Sequence, residues 1–315
     1  MTTQNIAAAA SEAALQNMSG IRTIHPVRRR EDWPKAGPAH SGLKRYAVLD
    51  TETSGLDPSR HCVVEICVAK IVVDGDGRIV ALESIRTGLQ DPGQPLSRAV
   101  REVTGLSDAD LAGQSISRAA LAEFLQDTEG CIAFNSTFDR AMVEHLLPDV
   151  RGVAWGCAMV DVDWRGLGFQ PGAQNYLLMQ AGFHNPAAHR ARDDVLSLIQ
   201  LLAHPCGDGE TVLGKVIASM AAPSWRFEAT GAPYHLRDRL ADQRYRWSAQ
   251  NKVWHKLVRQ ADVRDEYRWY RANFKQRPSI VPVTATDRFR ADYTWQPVPV
   301  KLQRIEDWEP KGDPF

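Results

Sequence analysis

Three short stretches carry side chains that could do chemistry. In YAVLDTETSGLD, Asp50 and Glu52 close an apolar run, 46–49, with one residue between them. Along a strand, residues i and i+2 leave on the same face, so the two carboxylates would aim at one point. Like charges that close repel, and burying them without a counter-charge is costly. A divalent cation is the simplest partner, because Mg²⁺ favours carboxylate oxygens. The competing reading is turn chemistry, in which Asp and Ser after a strand bond nearby backbone. In AFNSTFDRAMVE, Asn135 ends a short apolar run and Asp139 falls four residues later. That place is the first turn of an expected helix, where the helix dipole alone would favour an acid. In HRARDDVLSLIQLL, His189 stands five residues before Asp194. A histidine on a loop suits proton transfer better than rigid ligation.

These residues need elements to hold them. The pattern predicts strands at 45–50, 63–73 and 78–87, the last two joined by a GDG hairpin turn at 75–77. Helical spacing follows at 97–105 and 117–128, then a short strand at 131–135 and a helix at 137–147. A strand near 153–160 and helices at 173–182 and 191–203 complete the region, with Gly182 as a stop signal. In the last helix Val195, Leu198, Ile199 and Leu202 would face the core, with Asp194 beside that stripe and Asp193 turned outward. A hairpin followed by alternating helices and strands implies a mixed α/β sheet.

In this order, D-x-E-T, N-x-x-x-D and H-x-x-x-x-D, the stretch 44–205 resembles the DEDDh 3′-5′ exonucleases, the group that includes the proofreading epsilon subunits of bacterial DNA polymerase III. The resemblance implies an RNase H-like mixed β-sheet flanked by helices. It also implies a two-metal hydrolysis that releases nucleoside 5′-monophosphates from nucleic-acid 3′ ends. The family's four metal-binding acids fall on Asp50, Glu52, Asp139 and Asp194, with Asp50 bridging two Mg²⁺ ions for which Mn²⁺ can substitute. Its general base falls on His189. A sister group has tyrosine four residues before the last acid; here that position is Arg190. Thr53 matches a position that holds the terminal nucleotide through its backbone, and Leu106 one that borders a base. Asn135 and Phe138 match positions that shape the site. The substrate implied is a free 3′ end, with single-stranded DNA ahead of RNA trimming and a DNA polymerase as possible partner. A nucleic-acid- or polymerase-binding module without essential catalysis is the reading from another class.

Composition bounds the rest. The chain has 315 residues and no formal net charge, but the neutrality is uneven. Residues 44–205 hold 14 Lys and Arg against 21 Asp and Glu, whereas 225–290 hold 15 against 7. Metal in the first segment and a polyanion at the second fit that split. The expected layout is a flexible extension at 1–43, the exonuclease domain at 44–205, a linker at 206–224, a small basic α+β domain rich in aromatics at 225–290, and a tail at 291–315. The basic segment resembles C-terminal extensions of some bacterial epsilon-like exonucleases; substrate binding, partner binding and plain structure stay open for it. Its phosphate candidates are Arg244, Arg246, Lys252 and Lys256. Trp155 and Trp164 read as core, and Asp161 and Asp163 as lacking a motif to complete a second metal centre. No apolar run approaches the roughly 18 residues a membrane span needs. The start lacks signal-peptide character. Five cysteines in apolar surroundings suggest free thiols in a reducing cytoplasm.

Overall fold

A computed structural model describes residues 23–35, 37, 42–148, 152–187, 189–249 and 251–290. The chain runs β1 (His25–Pro26), β2 (Lys44–Thr53), β3 (Val63–Val73), β4 (Ile79–Leu89), α1 (Arg98–Thr104), α2 (Asp108–Leu111), α3 (Arg118–Gln126), β5 (Cys131–Ala133) and α4 (Ser136–Leu146). It continues through β6 (Trp155–Cys157), α5 (Gln174–Gln180), β7 (Phe183–His184), α6 (Ala191–Leu202) and α7 (Val212–Ala221). The basic segment forms β8 (Ser224–Glu228), α8 (Arg237–Asp242), β9 (Arg246–Ser248), β10 (Val253–Arg259), α9 (Val263–Asn273) and β11 (Ser279–Val283).

The first sheet has the order β4-β3-β2-β5-β6, antiparallel on the β4 side and parallel beyond β2. This is the mixed, helix-flanked sheet expected. Period-two alternation in β2 divides its side chains between two cores. Tyr46 and Val48 pack with Val195, Leu198, Ile199 and Leu202 of α6. Ala47 and Leu49 pack with Met142, Val143 and Leu146 of α4. Each fully buried aliphatic side chain is worth about 1.5–3 kcal/mol, so the α6 stripe alone fixes that helix firmly to the sheet. Strand β2 runs three residues past the expected end, which places both acids inside the ladder rather than in a turn.

Two expected boundaries are corrected. The stretch 206–224 holds helix α7, capped by Thr211, whose Oγ1 accepts from Gly214 N at 3.0 Å. Val212, Leu213, Val216 and Met220 of α7 lie in the same core as α6. Proline and glycine at 205–209 and Pro223 mark its two ends, not an extended tether. In the 1–43 extension, β1 pairs in parallel with β7, and Trp33 is buried in that core. Residues 1–22 and 291–315 lie outside the described set.

The second sheet is antiparallel, in the order β11-β8-β10-β9. The expected hairpin around 249–251 is present, whereas β11 was not anticipated. The chain then returns to the first sheet's edge: Trp155 N donates to Ala285 O at 2.9 Å, and Phe289 enters the α4 core. Among the described residues no helix is long and apolar enough to cross a membrane.

Candidate active site

The site forms where β2 meets the start of α6. Asp50 and Glu52 continue the Tyr46–Val48 face of β2, and this face looks toward α6. One carboxylate oxygen from each of Asp50, Glu52 and Asp194 lies within 4.8 Å of the others. Burial pushes Asp50 well above the ordinary carboxylate range, with the charges of Asp139, Asp194, Glu52 and Glu65 adding to it. Burial first, then Asp194, Glu65 and Asp139, push Glu52 up to about 8. Asp194 is raised by burial as well, and the His189 amide, donating to its Oδ2 at 2.8 Å, offsets part of that. Half-buried carboxylates gathered without a cation among them fit a hard divalent ion held through oxygen. Zinc-type thiolate ligation does not fit: Cys67, opposite Asp50 in β3, has its thiol pushed far up by burial.

Asp139 falls outside that 4.8 Å grouping. It belongs to the first turn of α4, on the other side of β2, and its Oδ1 accepts from Thr51 N at 3.1 Å and Thr51 Oγ1 at 2.8 Å. Burial raises it to about 7 even though both Thr51 bonds lower it. The period-two rule explains the separation: Thr51, between Asp50 and Glu52, points to the opposite face. Asp139 is nonetheless the foremost neighbouring charge on Asp50, ahead of Asp194 and Glu52.

His189 sits exposed just before α6, with a left-handed φ of 71°. Its neighbour Arg190 forms a fork to Glu65, Nε to Oε2 and Nη2 to Oε1, both at 3.0 Å, and Ala191 N donates to Glu65 Oε2 at 3.3 Å. Glu65 is only 3% exposed and lies directly across the β2–β3 ladder from Glu52. Thr51, Glu65 and Arg190 were not singled out by the sequence motifs. A lone acid inside the apolar run VVEICVAKIVV was the available signal for Glu65, since a buried charge demands a partner.

The flanking expectations divide. Thr53 is buried beside the acids and its Oγ1 donates to Gly55 O at 2.7 Å. Asn135 precedes α4 without capping it, and its buried Oδ1 has no hydrogen-bond partner among the described residues. Phe138 packs against the α4 core. Leu106 is corrected: at 3% exposure it is enclosed with Val64, Leu96 and Leu111 and presents no face to a base. Asp161 and Asp163 form no second centre. Asp161 is buried, accepting from Cys157 N, Ser219 Oγ and Arg288, while Asp163 accepts from Gly166 N. Trp155 and Trp164 are core residues. Lys256 is also corrected, because its ammonium is committed to Glu266 and lies over the Tyr245 ring.

Residues 47–202, which contain the whole acid set and His189, match the family model described as Exonuclease. That segment belongs to the exonuclease family. The exonuclease segment is 31% identical over 160 residues to a "DNA polymerase III PolC-type" of Thermotoga petrophila and 32% identical over 160 residues to that of Thermotoga maritima. In both cases the match covers 49% of this chain and 11% of the relative, so the chain spans about a tenth of the length of these curated relatives. Among solved structures, "Exonuclease X in complex with 5' overhanging duplex DNA" shares 20% identity at a TM-score of 0.38, covering 54% of this chain and 99% of that one. An E. coli Exonuclease I complex with a dA16 oligonucleotide shares 13% at a TM-score of 0.43, covering 58% and 48%.

Proposed function

We propose that this protein is a metal-dependent 3′-5′ exonuclease that releases nucleoside 5′-monophosphates from nucleic-acid 3′ ends, with single-stranded DNA preferred to RNA. The observation that carries the reading is the half-buried trio Asp50, Glu52 and Asp194, poised within 4.8 Å beside a loop histidine. Asp50, Glu52 and Asp194, together with Asp139 as the foremost neighbouring charge on Asp50, would hold Mg²⁺, with Mn²⁺ able to substitute. Bound divalent cations would neutralise the phosphodiester's charge and make the attacking water more acidic.

The chain's own groups do the remaining work. His189 takes a proton from the attacking water, and the hydrogen bond its backbone N–H donates to Asp194 keeps it next to the acids. Backbone at Thr53 offers polar contacts to the terminal nucleotide, with Asn135 and Phe138 shaping the site around Asp139. The relatives named as DNA polymerases support a polymerase partner supplied in trans. All five cysteines are free thiols, which accords with a cytoplasmic setting. The test is a 5′-labelled DNA or RNA oligonucleotide incubated with Mg²⁺, with EDTA, and with Asp50→Ala. A ladder shortening from the 3′ end, absent in EDTA and in the variant, is expected, stronger on DNA. Full-length label after incubation in Mg²⁺, or a ladder that survives Asp50→Ala, overturns the reading.

A further inference from the structure

The cations of the second sheet are not all used alike. Arg226 pairs with Glu228, Lys256 with Glu266, Arg259 with Asp262 and Arg268 with Asp265, and Arg239 donates to Asn273. Arg244, Arg246 and Lys252, grouped around the β9–β10 hairpin, are exposed. Among the described residues no ion pair or side-chain hydrogen bond engages these three. Directly across the hairpin, Trp247 faces Trp254 with ring centroids 5.9 Å apart. Trp254 packs on the small sheet's core, whereas Trp247 remains 50% exposed, against the tendency of a large apolar ring to leave water.

The backbone adds a separate signal. Arg244, just past α8, has φ 67°, and Lys252, in the hairpin turn, has φ 49°. Both places favour glycine or asparagine, because a Cβ is strained in that region. Each instead carries a long cationic side chain. Such strain persists where the side chain is needed for something other than folding.

We infer that this hairpin is a binding platform for single-stranded nucleic acid, with a base stacked on Trp247, and with Arg244 and Lys252 on the phosphates. The ligand class rests on the nucleic-acid reading above; the platform itself uses none of the acid-site residues. Cationic side chains beside an open aromatic ring are the recurring means of holding an unpaired strand. It would hold the strand on a surface distinct from the acids that cut it.

The test uses the full chain in EDTA, so that binding is read without cleavage, with fluorescein-labelled oligothymidylate across a salt series. Trp247→Ala is expected to weaken binding about fivefold or more, the loss of one stacked base. Arg244→Gly combined with Lys252→Gly is expected to make the log affinity–log salt slope shallower by about 1.4, at about 0.7 per cation on a single strand. Because glycine relieves both backbones, the melting temperature of that variant should hold or rise. Unchanged affinity and slope, a lowered melting temperature of the glycine variant, or no binding by the parent chain overturns the platform. Equal displacement of the oligonucleotide by polyglutamate also overturns it, since that would mark a dock for acidic protein. A chain that binds here yet degrades nothing in Mg²⁺ overturns the exonuclease reading and leaves the platform standing.

Discussion

Glu65 and Asp161 are buried but ion-paired, whereas among the described residues Asp50, Glu52 and Asp139 have no such pair, and desolvation raises all three. Glu52 at about 8 and Asp139 at about 7 lie above the ordinary carboxylate range in the fold. A raised acid holds its proton in the folded state at pH values where the unfolded chain has released it. Its stabilisation is therefore complete below about pH 4 and is lost as pH rises through 7 to 8. The metal-free protein should melt at falling temperature between pH 5 and 8, and added Mn²⁺ should raise the melting temperature most at pH 8; thermal melts in EDTA and in Mn²⁺ check both. A second prediction concerns the Arg190–Glu65 fork. It anchors the residue next to His189, whose backbone N–H donates to Asp194, so Arg190 should act on turnover through the histidine. Arg190→Ala should lower kcat at least tenfold in the parent and have little further effect in a His189→Ala background. Independent, multiplying losses would show that Arg190 serves the acids instead. The acids and the histidine were legible in sequence because their types and order are unusual. Thr51 and Arg190 were not, since a threonine in a strand or an arginine before a helix is ordinary until its partner is known.

At the level of elements, alternation in β2 does the sorting: one face presents Asp50 and Glu52 to α6, the other presents Thr51 to Asp139 on α4. Period and punctuation in the sequence located β3 to the residue and α6 nearly so. They failed at α7, because Pro and Gly crowd both its ends and its ten residues resemble a tether until the apolar face Val212, Leu213, Val216 and Met220 is matched to a core. The tight docking of α7 makes a prediction. Gly77, in the turn between β3 and β4, has φ 76°, and a Cβ there would lie 2.7 Å from Gly214 Cα. Thr211 Oγ1 also donates to Gly77 O at 2.7 Å. Gly77→Ala should therefore destabilise the protein by about 1–3 kcal/mol, measured by urea unfolding. No loss would mean that the turn and α7 can separate freely.

Across the whole molecule, the basic sheet is bound to the exonuclease segment through the strap 284–290. Arg288 pairs with Asp161, both almost wholly buried, and Arg140 donates to the carbonyls of Thr286 and Arg288. Arg140 is the residue after Asp139, so the strap grips the helix that carries one of the acids. Removing one member of a buried pair strands the other charge at a cost of about 3–5 kcal/mol. Arg288→Met should destabilise by that order in urea, and Asp161→Asn in the same chain should recover part of the loss. If the single variant is neutral, the strap is not seated as described. None of this was visible in the sequence, because Asp161 and Arg288 stand 127 residues apart and neither belongs to a motif. The strap also sets a schedule for synthesis. The edge strand Trp155–Cys157 emerges from the ribosome well before the segment that covers it, so that edge stays open until residues 284–290 have themselves left the ribosome. A nascent chain stalled earlier leaves Asp161 without its counter-charge and the helix of Asp139 without its clasp.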